Sequence, residues 1–181
     1  MSSYEKYDLN NQKKRIAAGA VILKTDKDNN QYMLVIQRSE KDHWPLFFEF
    51  PRGGCDKPVG EHIEHCIKRE VKEETNLDIE IIKFIDSFDY YSHKYKQMTR
   101  CLNYLCKVID NEQQVVLSKE HIDYQWISSF GQIELMLLPE QKKTVSKVFN
   151  LTKQIVNYPT KTKTKQGVIE EYLDVLQQTI L

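Results

Sequence analysis

A charge imbalance is the first thing this chain lacks. Its 26 Lys and Arg are matched by 26 Asp and Glu, a formal net charge of zero over 181 residues. No global field therefore draws it to nucleic acid or to an anionic membrane, and any attraction for a polyanion has to be local. Beyond the short KTKTK stretch at 161–165 there is no strong basic tract, so DNA is not an expected partner. Zinc-type spacing is also missing: Cys55, Cys66, Cys101 and Cys106 form no CxxC pair and have no His at finger intervals. The expectation is four buried free thiols in a reducing compartment. No apolar run approaches membrane-spanning length, and MSSYEKYDLNNQKKR has no apolar centre, so neither a membrane anchor nor a secretory signal is expected. The expected location is cytoplasmic, with the nucleus as the alternative. Internal repeats are lacking as well.

What is present suits one domain with a full core. Residues 1–14 read as a polar arm, 15–157 as the domain, and 158–181 as a linker and a C-terminal amphipathic helix. RIAAGAVILK (15–24) reads as a buried strand, and 32–38 alternates as its hairpin partner. WPLFFEF (44–50) is an aromatic run, a short strand or extended segment leading to Pro51. Asp78 to Phe88 is strand-like with a parity shift between Ile81 and Ile82, which predicts a bulge. DYYSHKYKQ (89–97) reads as a loop and 98–109 as a strand with Leu102, Tyr104, Cys106 and Val108 on one face. Val115 to Leu117 is expected to pair at an edge, and 121–127 is a further strand. Gly131–Leu138 reads as a short helical piece and Pro139–Asn157 as an amphipathic helix. Strands, one helix, more strands and terminal helices imply an α/β (α+β) architecture with a mixed sheet.

One stretch departs from ordinary patterning. PRGGCDKPVGEHIEHCIKREVKEETNL (51–77) is a Gly- and Pro-punctuated loop followed by a helix from about Glu61 to Asn76. At helical period, Ile63, Cys66, Ile67, Glu70, Glu73 and Glu74 share a face that begins apolar and ends in three carboxylates. An exposed acidic face would carry its own i,i+4 lysines, whereas Lys68 and Lys72 point the other way. Three like charges turned inward need a positive partner, and a hard divalent cation with oxygen ligands is the simplest. Asn76 can take the left-handed position that ends such a helix, with Leu77 making the accompanying apolar contact.

Glu61, Arg69, Glu70, Val71, Glu73, Glu74 and Leu77 resemble the Nudix box, G-x5-E-x7-R-E-U-x-E-E-x-G-U, where U is aliphatic. From Glu61 on every spacing fits, with Asn76 in place of the late glycine. Before it the fit loosens, since seven residues separate Gly53 from Glu61 and six separate Gly54 from it. The resemblance covers about residues 15 to 150 and implies an α/β/α sandwich with a mixed sheet, to which the C-terminal helix is extra. It implies that Glu70 and Glu74 hold Mg²⁺ (or Mn²⁺), with Glu73 a further ligand or water-orienting group, and with a backbone oxygen from Gly53 or Gly54. It also implies that Glu61 and Arg69 brace the loop and helix. The activity implied is hydrolysis of a phosphoanhydride in a nucleoside diphosphate linked to another group.

LSKEHIDYQWIS (117–128) is similar to a segment of diadenosine-tetraphosphate hydrolases within this family, and its Glu-to-Trp spacing also resembles decapping Nudix enzymes. That makes Glu120 a candidate carboxylate facing the box, either catalytic or simply exposed. Trp126 and Tyr124 read as core packing, with Tyr124 also a candidate to flank a base. Arg38, Arg52 and Lys94 are candidate substrate contacts, the last within the aromatic and basic Tyr90–Lys96 stretch. A small-molecule nucleotide is the expected partner, taken by a monomer or homodimer. A capped RNA, or a Nudix-fold binding protein without catalysis, is the alternative.

Overall fold

The structure is a computed structural model and describes residues 14–55, 61–132 and 136–156. The expected N-terminal arm, most of the loop insertion after Cys55 and the C-terminal linker and helix lie outside these residues. The chain divides near residue 145 into two units, and the sheet and first helix lie in the first.

Among the described residues seven strands form one mixed sheet. They are β1 (Arg15–Thr25), β2 (Gln31–Arg38), β3 (Phe48–Glu49), β4 (Arg52–Gly54), β5 (Ile79–Ser92), β6 (Gln97–Val108) and β7 (His121–Ile127). β1 is central. It runs parallel to β6 along Arg15–Leu23, and its other edge is shared, pairing β2 through Leu23–Thr25 and β4 through Ala17–Gly19. β2 in turn pairs β3 and, on its far side, β7. The sharing of one edge by β2 and β4 splits the sheet there.

Burial on both sides explains why β1 reads as a continuous apolar run rather than an alternating one. Ala18, Ala20 and Ile22 face the helix α1 (Ile63–Thr75), whose Cys66, Ile67 and Val71 complete that core with Leu102, Tyr104 and Cys106 of β6. Gly19 points to the other side, where an added Cβ would lie 2.6 Å from the Phe50 ring and 2.8 Å from Asn103 Oδ1. There Asn103 donates to Asp86 (2.9 Å) and to Thr144 (3.3 Å), a buried polar set satisfied within itself.

α1 ends as its sequence predicts. Asn76 sits at φ 60°, its N–H donating to the Lys72 carbonyl, and Leu77 is buried. Lys72 donates to the Asn76 carbonyl and to Asp78, a cation at the negative helix end. The bulge expected between Ile81 and Ile82 is present as a register shift between Ile81 and Lys83, and a second shift follows between Phe84 and Asp86.

Four expectations need correction. DYYS is not loop: β5 continues to Ser92, pairing β6 along its whole length, and only residues 93–96 turn. Val115–Leu117 makes no strand; instead the Val116 and Ser118 N–H groups donate to the Thr75 and Glu74 carbonyls, satisfying acceptors the helix end leaves open. The helix expected from Pro139 starts as a 3-10 turn, Pro139–Gln141, before α2 (Lys142–Val156). Finally, Cys55 and Cys66 form a disulfide with Cα atoms 5.2 Å apart, joining β4's end to α1. Only Cys101 and Cys106 remain free, and burial pushes both thiols up to about 12, which leaves them inert packing groups.

Candidate active site

The carboxylates of α1 are placed by two facts of packing. The apolar half of the helix is anchored in the core, which fixes its rotation, and β4 runs beside its acidic half. Arg52 N–H donates to Glu74 Oε2 (3.1 Å), and the Gly54 carbonyl accepts from Arg69 Nη2 (2.9 Å). Gly53 lies between them, and a Cβ there would come within 1.9 Å of the Glu70 carboxyl carbon. Only glycine leaves room for Glu70 to lie against the strand. The two glycines thus have different parts: Gly53 provides space and Gly54 a backbone acceptor.

Arg69 gathers the acids of the motif. Its Nε and Nη2 donate to Glu61 at 2.9 and 2.8 Å, and its Nη1 donates to Glu70 at 2.7 Å and Glu73 at 3.3 Å. The Glu61 side chain is only 5% exposed, so this forked pairing is what makes its burial tolerable. Hydrogen bonding to Glu61 is the largest cause raising the Arg69 pKa, so the guanidinium stays charged. Glu61 does not line the cavity described next; it braces the residue that does.

A cavity of about 1040 Å³ opens over the acidic end of α1. Glu70, Glu73, Glu74 and Glu120 line it together with Gly53 and Gly54; Arg38 and Arg52 line it too, as does Lys94. Burial raises the Glu74 pKa well above the ordinary carboxylate value, and the charges of Glu49, Glu70 and Glu120 add to the rise. Glu70 is raised chiefly by burial, with Arg69 opposing. Among the described residues no set of three His, Cys, Asp or Glu side chains already converges as a cation site. The donor set nonetheless fits a hard divalent ion: oxygen ligands only, one of them half-buried with the charges of three other carboxylates bearing on it.

Two site expectations need adjustment. Glu73 is the least buried of the three helix acids, with its side chain 60% exposed, so it reaches the cavity from its rim and is not turned inward. Tyr124, a candidate either to flank a base or to pack in the core, does not line the cavity and packs against the hydrophobic core beside Trp126. Alternation along β7 puts 124 and 126 on the same face, the one turned to the core.

The residue that inspection of the sequence missed is Glu49. It is 3% exposed and lines the cavity, its carboxylate accepting from Arg38 Nη1, from Arg52 Nε (3.0 Å) and lying 3.4 Å from His121 Nε2. Burial alone would raise its pKa; Arg52, His121 and Arg38 outweigh that and hold it at about 2. A lone acid inside an aromatic run was the available signal, because such a charge needs partners if the run is buried.

A family model for the NUDIX domain matches residues 13–148. Among solved structures, an Ap4A hydrolase of C. elegans in a binary complex is 24% identical, covering 77% of this chain and 98% of its own with a TM-score of 0.63. A MutT protein of Methanosarcina mazei Go1 is 20% identical (84% and 99% covered, TM-score 0.61). The NUDIX domain of Shewanella oneidensis NrtR, complexed with ADP ribose, is 18% identical (87% and 100%, TM-score 0.57). At these identities the likeness is one of fold. No curated protein matches the sequence. With the box residues in place on α1 and a family match over most of its length, the chain belongs to the Nudix hydrolase family.

Proposed function

We propose that this protein hydrolyses a phosphoanhydride bond in a nucleoside diphosphate linked to another group, and that dinucleoside polyphosphates are its favoured substrates. The observation that carries this reading is Glu74, a half-buried carboxylate that lines, with Glu70 and Glu120, a cavity also lined by two arginines. Glu70 and Glu74 are the principal ligands for Mg²⁺ or Mn²⁺, with Glu73 and a backbone oxygen of Gly53–Gly54 beside them. A divalent cation there supplies charge neutralisation for the polyphosphate and acidifies the attacking water. Arg69, braced by Glu61, keeps Glu70 in place, and the Arg52 N–H holds Glu74. Glu120 lines the same cavity and is the candidate to take the proton from the attacking water. Arg38 and Arg52 bind phosphate, and Lys94 with the aromatic residues of the β5–β6 turn meets the nucleoside.

The resemblance of LSKEHIDYQWIS to diadenosine-tetraphosphate hydrolases supports the dinucleotide class, as does a cavity of about 1040 Å³, ample for more than one phosphorylated nucleoside. Chromatography of products from diadenosine polyphosphates, oxidised nucleoside triphosphates, ADP-ribose and capped RNA, each with Mg²⁺ or Mn²⁺, tests it. Fastest turnover on a diadenosine polyphosphate is expected, and no cleavage of any of the four would overturn the reading.

A further inference from the structure

Glu49 lies at the crossing of three cavity elements. It sits on β3 opposite Ile36 of β2, two residues before Pro51, and its backbone neighbours are tied on both sides. The Leu138 N–H donates to the Phe48 carbonyl, and the Phe50 N–H donates to Gln141 Oε1 (2.8 Å). The carboxylate therefore cannot drift. Its Oε1 takes Arg38 from the end of β2 and lies beside His121 at the start of β7, while its Oε2 takes Arg52 from β4. His121 Nδ1 is in turn 3.4 Å from Ser118 Oγ, so the segment carrying Glu120 is tied to the same point.

Neither guanidinium is used up by these contacts. Arg38 commits Nε to the His43 carbonyl and Nη2 to Asp42, and Arg52 packs over the Tyr90 ring at 4.5 Å with Nη2 reaching Glu140 at 3.5 Å. Each arginine has five N–H donors, and Arg52 Nη1 is buried with no hydrogen-bond partner among the described residues, a donor left for a ligand to satisfy. Two long, rotamer-rich cations are thus held still in a cavity wall with donors to spare. This is the arrangement that lets a fork bind phosphate without first being ordered.

We propose that Glu49 is a positioning residue for substrate phosphate: by holding Arg38 and Arg52 through its two oxygens it presents their remaining N–H donors to a polyphosphate chain. The proposal rests on the hydrolytic reading only for the nature of what the arginines receive. The opposing possibility is sharp, since a carboxylate between two arginines could equally compete with phosphate for them.

Calorimetric titration of inorganic tripolyphosphate in the presence of Mg²⁺, on the full chain and on Glu49→Gln and Glu49→Asp, separates the two. Hydrolysis of diadenosine tetraphosphate is followed in parallel. In Glu49→Gln, Kd for tripolyphosphate and KM should each rise by about tenfold or more, while kcat falls by less than about threefold. Glu49→Asp, which keeps the charge on a shorter stem, should recover part of the loss. Binding by Glu49→Gln as tight as wild type, or tighter, would overturn the proposal, as would a wild-type chain that does not bind tripolyphosphate. If Glu49→Gln fails to fold because two half-buried arginines lose their partner, Glu49→Asp decides: weakened binding supports positioning and unchanged binding overturns it. Weakened tripolyphosphate binding in a protein that hydrolyses no nucleotide would leave positioning standing and remove the hydrolytic reading.

Discussion

Two ionic clusters bracket the cavity, and each is the other's inverse. On the helix side one arginine, Arg69, holds Glu61, Glu70 and Glu73 and closes on the Gly54 carbonyl. On the strand side one carboxylate, Glu49, holds Arg38, Arg52 and His121. On the reading proposed above, the first cluster keeps negative charge in place for a cation, and the second keeps guanidinium groups in place for phosphate. In both, the central group lines the cavity together with partners of the opposite sign that it organises. Glu74 lies between the two: its carboxylate accepts from Arg52 N–H, and the charges of both Glu49 and Glu70 act on it.

Glu74 is therefore where the comparison breaks most visibly. Glu74→Gln should lower hydrolysis about a hundredfold or more, since a bound metal supplies several kcal/mol and each 1.36 kcal/mol is tenfold. Its effect on stability has the opposite sign. The pKa of Glu74 lies above its ordinary value of 4.5 in the folded metal-free chain, so between those values the folded state binds more protons than the unfolded one. Stability is then highest below the ordinary value and is lost as pH rises through the raised one. Metal-free Glu74→Gln should melt higher than wild type at alkaline pH and lose most of the thermal shift given by Mg²⁺. Thermal melts across pH with and without Mg²⁺ check both, and an unchanged Mg²⁺ shift would remove Glu74 from the ligand set.

Arg69→Met breaks the helix-side cluster alone. It leaves Glu61 buried without its fork, at a cost of about 3 kcal/mol by the usual loss for one partner of a buried pair. Denaturant unfolding measures that loss. The comparison is sharpened by activity: Arg69→Met should raise the Mg²⁺ concentration needed for half-activation and leave tripolyphosphate affinity at saturating Mg²⁺ nearly unchanged, the reverse of Glu49→Gln. If both variants move the same parameter, the two clusters are not distinct in function.

The smallest change expected comes from the disulfide that ties β4's end to α1. Thiol titration of the unfolded, unreduced protein should count two free cysteines, and four after reduction. Reduction should cost about 2 kcal/mol, at the low end for such a bridge, with little effect on turnover once Mg²⁺ is saturating. Four thiols before reduction would show that the bridge does not form.

How much of this was legible depended on distance along the chain. Glu61, Arg69, Glu70, Glu73 and Glu74 lie within one loop and helix, where the 3.6-residue period places them without any knowledge of the rest. Asn76 and the bulge after Ile81 were legible for the same reason, each being a local departure from a local pattern. Glu49 was not, because its partner His121 is 72 residues away and reaches it only through the pairing of β7 with β2. The Cys55–Cys66 bridge was hidden for a different reason: loop and helix cysteines at a separation of 11 follow no spacing rule, and only the packing of β4 beside α1 brings them together. Which of its two readings Tyr124 takes was not legible, because chain alternation gives a face but not which face is the core.

By itself the sequence determined the helix, its acidic face, the end at Asn76 and the family those residues imply, since all of these follow from covalent geometry over one or a few turns. Only the tertiary structure decided which carboxylates are buried, which glycine makes room and which accepts, and that Arg38 and Arg52 share one anchor in Glu49. Those are outcomes of how β1 divides its edge between β2 and β4. That division is set by long-range pairing, and no short stretch of the chain contains it.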